Sequence, residues 1–142
     1  MGPAAAVADV RTGNRTRNDS FEVKTGDKIM AKITFCEAIR SGTREEMKRD
    51  KNVYLIGEDV GRWGNLFGAS KGLLAELGWE QVKDCPISEA AMAGCAVGSA
   101  VMGMRPIAEI MYIDFISIAM DQMVNYAAKY RQLSCGRVKV PV

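Results

Sequence analysis

"VKDCPISEAAMAGCAVGSAVMGMRPIAEI" fills residues 82–110, and its reading decides the fold. A short strand-like opening, part of "EQVKDCPIS" (80–88), runs into a turn at Pro86. Fifteen residues from Ala90 to Met104 then carry no charge, as a buried helix would. Arg105-Pro106 ends that run, and "RPIAEIMYI" (105–113) reads as a strand. The uncharged helix is poorly made on propensity, because Gly94, Gly98 and Gly103 each cost up to about 1 kcal/mol relative to alanine. A single acid, Glu89, stands at its mouth.

Working outward, "NVYLIGED" (52–59) is a continuous apolar run of strand length, the pattern of a strand buried on both faces of a parallel sheet. "TFCEAIRSGTREEMKRD" (34–50) precedes it as an amphipathic helix, with Thr34 and Glu37 spaced as a capping box. "VGRWGNLFG" (60–68) reads as a glycine-rich loop, and "ASKGLLAELG" (69–78) as a short helix closed by Gly78. "SIAMDQMVNYAAKYRQL" (117–133) reads as another amphipathic helix, and "GRVKVPV" (136–142) as the start of a last strand. Strands and helices alternate, which predicts an α/β fold: a mostly parallel sheet with helices on both faces.

Residues 1–29 are polar, without sustained periodicity, and are expected to be a disordered extension or a non-native leader. The domain is then expected over residues 30–142, incomplete at its C-terminal end.

Composition narrows the function. The 142 residues suit one domain, and a net charge of +2 gives no electrostatic case for nucleic acid. Four cysteines without C-x-x-C spacing, and no histidine, argue against zinc and against a Cys–His nucleophile. The fifteen-residue run falls short of the roughly 20 that span a bilayer, so no membrane span is expected. Reduced thiols fit a cytoplasmic chain. The loop after the first strand lacks both G-x-G-x-x-G and a P-loop, which leaves a nucleotide cradle without support.

Glu89 has two readings. It is either an acid at a helix N-terminus, where the macrodipole stabilises a carboxylate by about 0.3–1 kcal/mol, or a site residue. Ligands of open α/β sheets sit at the carboxyl ends of strands. Glu58 and Asp59 are expected to end one strand, Glu89 to follow the next and Phe115 to end a third. Small residues at Ala90, Gly94 and Gly98 would let a helix or a subunit approach closely.

"LIGEDVGRWGNLFGASKGL" (55–73), the 82–110 stretch and "DFISIAMDQMVNYAAKYRQLSCG" (114–136) resemble the β subunit of thiamine-diphosphate-dependent 2-oxo acid dehydrogenase E1 components. The likeness runs nearly unbroken from Lys32 to Val142. It implies the transketolase-like pyrimidine domain, with pyruvate, branched-chain 2-oxo acid and acetoin dehydrogenases as the relatives. In that family the acid of "PISE", here Glu89, hydrogen-bonds N1′ of the cofactor's aminopyrimidine. It stabilises the imino tautomer whose 4′-nitrogen deprotonates thiazolium C2. That chemistry asks for a carboxyl in a low-dielectric pocket with its pKa raised.

The resemblance further implies that Ile87 contacts the cofactor, Phe115 packs on its pyrimidine ring and Glu58 lies beside the ring. Val142 would offer a backbone carbonyl to a structural K⁺. Phe115 also reads as ordinary core. The family's GDG…N motif for diphosphate and Mg²⁺ belongs to the E1 α subunit, and "TGDK" (25–28) does not replace it. "LSCG" (133–136) departs from the "SGG" common in relatives and puts the Cys135 thiol in a loop. The implied assembly is an α₂β₂ heterotetramer serving a lipoyl acyltransferase E2, inactive without the α subunit. Pyruvate is the expected 2-oxo acid; the alternatives are a non-catalytic fragment or assembly module of the same complex, or the acetoin dehydrogenase β subunit.

Overall fold

The structure is a computed structural model that describes residues 32–142; the extension expected over 1–29 lies outside them. Three parallel strands form the sheet in the order β2–β1–β3: β1 is Val53–Gly57, β2 is Val82–Asp84 and β3 is Arg105–Glu109. Leu55 pairs with Val82 and Gly57 with Asp84 on one side, and Val53 with Arg105 and Gly57 with Glu109 on the other. All three strands therefore end in register, at one edge.

Every residue of β1 is buried, which explains its unbroken apolar sequence. Its side chains alternate between two cores. Val53 and Leu55 face Met47 of α1 (Phe35–Arg49) and Leu73 of α2 (Leu73–Leu77), with Val60 and Val82. Tyr54 and Ile56 face Met92 and Ala96 of α3 (Glu89–Val101). Helices thus cover both faces, each buried aliphatic side chain contributing about 1.5–3 kcal/mol. Two polar contacts pin the layers. The buried Gln81 amide donates to the Met47 and Val53 carbonyls, both at 2.8 Å, and the Tyr54 and Ser99 hydroxyls lie 2.6 Å apart. Residues Phe35–Val142 form one compact unit.

Two sequence expectations fail beyond β3. The long helix expected over 117–133 is not continuous: a 3₁₀ turn at Ile113–Ser117 precedes it, and it is divided into a π-helical turn at Gln122–Ala127 and a short α4 at Tyr130–Leu133. The Ala128 N–H reaches back five residues to the Met123 carbonyl at 2.9 Å, so the turn holds one residue more than an α-helix would. Met123, Ala127 and Ala128 then line an apolar groove beside Ala93 and Val97 of α3. The last strand does not form either. Pro141 offers no N–H, and the Val142 N–H bonds to the Val140 carbonyl two residues back, curling the chain instead of extending it. The small-residue stripe is not forced by packing among the described residues. A Cβ at Gly94 would meet only the Gln122 side chain, at 3.5 Å, and one at Gly98 would meet open space.

Candidate functional site

The strand ends define the site. β1 runs out into Glu58 and Asp59, and β2 into Cys85, Pro86 and Ile87 before α3 starts at Glu89. With Met111, Phe115 and Ile118 these residues line a cavity of about 570 Å³. Four of the five residues singled out from the sequence (Glu58, Ile87, Glu89 and Phe115) therefore meet in one pocket. Val142 does not. It is 53 % exposed and lines the separate apolar groove with Val140, Ile110 and Ala108.

Glu58 and Glu89 are buried, at 8 % and 7 % exposure. Carboxyls are seldom so buried without a partner or a task. Burial pushes the Glu58 carboxyl above its ordinary value, the Glu89 charge pushes it further, and Asp59 adds to the same effect. The Ser88 backbone N–H opposes this by hydrogen-bonding Glu58. Ser88 is the N-cap residue, as expected, but its side chain makes no cap hydrogen bond. Among the described residues Glu58 Oε1 is buried without a hydrogen-bond partner, as is Glu109 Oε2.

Phe115 lies in the 3₁₀ turn rather than at a strand end, because β3 stops at Glu109. Its ring packs edge-on against Tyr112 at 5.8 Å, and Tyr112 packs edge-on against Phe67 at 5.9 Å. The aromatic row ties the turn to the loop after β1 and holds Phe115 at the pocket wall. Ile87 is 84 % exposed at the rim, an aliphatic side chain left for something else to cover. The Cys85 thiol is pushed up to about 11, mainly by burial and then by the charges of Glu58 and Asp84.

Four residues outside the sequence reading support the site. Asp84 at the end of β2 accepts the Gly61 N–H at 2.6 Å and the Arg62 N–H at 3.0 Å, anchoring the loop after β1. Asn65, at φ 66°, donates to Glu109 Oε1 at 2.7 Å. Burial raises the Glu109 carboxyl, the Asn65 hydrogen bond lowers it, and the Glu58 charge raises it. Gly57 has no room for a side chain: a Cβ would lie 2.6 Å from Val60 Cγ1 and 3.1 Å from Glu109 Cβ.

A carboxyl whose folded value lies above its unfolded one holds its proton more tightly in the native state. Its stabilising contribution is complete below the ordinary 4.5 and is lost as pH rises through the folded value. Glu58 and Glu109 therefore both favour mild acid. Glu58→Gln keeps the acceptor for Ser88 and removes the charge. It is expected to raise the urea midpoint at pH 7 and to shrink the gain between pH 7 and pH 5. An unchanged pH slope would contradict the burial of that charge.

The pocket suits a small ligand with an apolar body and hydrogen-bond donors at its edge. Carboxyls sit at its floor, apolar side chains form its walls, and its volume falls in the range of small-molecule sites. It does not suit a phosphate group, because the lining holds three carboxylates and neither lysine nor arginine. Among the described residues no group of three His, Cys, Asp or Glu side chains could hold a metal ion.

Residues 31–138 match the family described as transketolase, pyrimidine binding domain. Among curated proteins, the chain is 43 % identical over 113 residues to 2-oxoisovalerate dehydrogenase subunit beta of Bacillus subtilis (strain 168), covering 80 % of the chain and 35 % of the relative. Against acetoin:2,6-dichlorophenolindophenol oxidoreductase subunit beta of the same organism the identity is 41 % over 122 residues, covering 78 % and 36 %. Against pyruvate dehydrogenase E1 component subunit beta-1, mitochondrial, of Oryza sativa subsp. japonica it is 35 % over 142 residues, covering 100 % and 38 %. The chain thus spans little more than a third of the length of these relatives.

Proposed function

The chain belongs to the transketolase pyrimidine-binding domain family, and from that membership we propose that its strand-end pocket holds the aminopyrimidine of thiamine diphosphate in a 2-oxo acid dehydrogenase E1 component. The observation that carries the reading is the meeting of Glu58 and Glu89, 31 positions apart (89 − 58), at one buried pocket floor. When bound, the cofactor would supply the thiazolium carbon acid on which decarboxylation depends. Glu89 holds and returns a proton at ring N1′, in a setting where little water competes. Glu58 keeps a second carboxyl beside the ring edge. Phe115, Met111 and Ile118, which line the pocket, would keep water from the ring, and Ile87 would stand at its mouth.

The diphosphate end is assigned to another chain, since three carboxylates would repel it at close range. We propose that an E1 α subunit supplies that half of the site together with Mg²⁺, in an α₂β₂ assembly. Pyruvate is the proposed substrate and the lipoyl group of an E2 acyltransferase the proposed acyl acceptor, in the cytoplasm. A K⁺ on the Val142 carbonyl belongs to the same proposal.

Reconstitution tests it. The full-length β-type chain, mixed with an α-type partner, thiamine diphosphate and Mg²⁺, is offered pyruvate, 2-oxoisovalerate and acetoin in parallel. Turnover is expected only with both chains present, and greatest with pyruvate. Turnover by the β-type chain alone would overturn the split site, and an inert pair would overturn the activity.

A further inference from the structure

The loop that follows β1 is tied together through one side chain. Asn65 is 7 % exposed and sits in the left-handed region at φ 66°. Its backbone N–H donates to the Asp59 carbonyl at 2.8 Å, and its carbonyl accepts the Gly68 N–H at 3.2 Å. Its side-chain Oδ1 accepts the Phe67 N–H at 2.5 Å, and Nδ2 donates to Glu109 Oε1 at 2.7 Å. Every polar group of this buried residue is engaged. Only the last of these bonds leaves the loop, and it lands on the end of β3.

The consequence reaches Glu58. Gly57 before it is fixed by the strands on either side, pairing with Asp84 and Glu109. Asp59 after it has φ 54°, a left-handed conformation that a non-glycine residue keeps only where its surroundings hold it. Asn65 does that holding, at the Asp59 carbonyl, and Glu109 holds Asn65. Glu109 is anchored by its pairing with Gly57 at the end of β3, with its Cβ 3.1 Å from where a Gly57 Cβ would lie. A pocket carboxyl with one unpartnered buried oxygen is thus placed by a relay that runs from β3 through the loop, not by its own contacts alone.

We propose that the Asn65–Glu109 hydrogen bond is a latch that positions the Glu58 carboxyl at the pocket floor, making Asn65 and Glu109 positioning residues of the site. Their effect on turnover rests on the activity proposed above; their effect on the loop does not. The groups facing Glu58 are Glu89 from α3, Cys85 from the end of β2, Asp59 beside it and Glu109 from β3.

The polarity of the latch can be reversed. Asn65→Asp keeps the size, the left-handed conformation and the acceptor for Phe67, but sets an acceptor against Glu109 Oε1. Adding Glu109→Gln supplies a donor from the other side. Wild type, Asn65→Asp and Asn65→Asp/Glu109→Gln are compared in the full-length chain assembled with its α-type partner. In the cofactor-free assembly, amide hydrogen exchange over residues 58–67 is expected to speed up in Asn65→Asp and to recover in the double variant. With cofactor, kcat is expected to fall on the order of 10–100-fold in Asn65→Asp, as for displaced catalytic groups. The double variant should return most of it, with Kd for thiamine diphosphate little changed in all three. A scaffold role alone would lower thermal stability without this split between kcat and Kd. Loss in Asn65→Asp that the double variant fails to restore, or exchange that is alike in all three proteins, overturns the latch. Exchange that follows the reversed polarity, in an assembly whose wild type turns over none of the three substrates, keeps the latch and removes the proposed activity.

Discussion

Replacing Glu89 with glutamine is expected to leave thiamine diphosphate bound and to slow turnover of the assembled enzyme by roughly 10²–10⁴-fold, the usual worth of a positioned proton-transfer group. Glutamine matches glutamate in size, so the buried first residue of α3 keeps its packing against the pocket floor. The Met92 N–H still closes the first turn on the Ser88 carbonyl at 2.9 Å. What disappears is the exchangeable carboxyl proton. Were Glu89 only a favourable charge at a helix N-terminus, the variant would lose under about 1 kcal/mol of stability and keep its rate. Hydrogen–deuterium exchange at C2 of the bound cofactor separates the proton step from later chemistry. A wild-type exchange rate in the Glu89→Gln assembly would end the catalytic assignment.

The second large effect is structural. Gly64→Ala is expected to destabilise the chain by roughly 2–5 kcal/mol, the sum of about 1–2 for a left-handed alanine and 1–3 for overpacking. At φ 77° an added Cβ would lie 2.5 Å from Lys71 Cα, a backbone atom that cannot swing away as a side chain could. The strain would not stay in the loop. Ser70 donates its N–H to the Gly64 carbonyl and its hydroxyl to the Val60 carbonyl, and it accepts the N–H of Leu73, a fully buried core residue. Gly68→Ala is the control: φ is again 77°, but nothing lies within 4 Å. Urea unfolding of the two variants isolates the contact. Equal losses would mean that Lys71 yields and the loop is softer than its hydrogen bonds suggest.

Much of this was legible in the sequence wherever burial dictates composition. The unbroken apolar run of β1 announced a strand covered on both faces, and the charge-free run after Glu89 announced a buried helix. Carboxylates at successive strand ends pointed to one edge, since parallel strands with helical crossovers must all finish on the same side. Each interruption is only five or six residues long, too short for apolar periodicity to separate the 3₁₀, α and π hydrogen-bond registers, so those after Ile113 stayed hidden. At 136–142 the alternating valines suggested a strand, but Pro141 and the Val140–Val142 turn prevailed. Asn65 and Glu109 went unread for another reason. An asparagine in a glycine-rich loop looks like any turn residue, and a glutamate at the end of "RPIAE" like ordinary alternation. Their bond spans 44 positions, which a local pattern does not reveal. The one local hint was asparagine directly after Gly64, two residues suited to left-handed backbone.

The proton held on Cys85 has a consequence for how the site ages. Electrophiles and peroxides attack thiolates, and a thiol with its pKa near 11 is ionised to only about one part in 10⁴ at pH 7. Cys95 and Cys135 stand exposed on the surface of the same unit. Reagents that require a thiolate therefore find exposed sulfur at Cys95 and Cys135 but only a scarce thiolate beside Glu58.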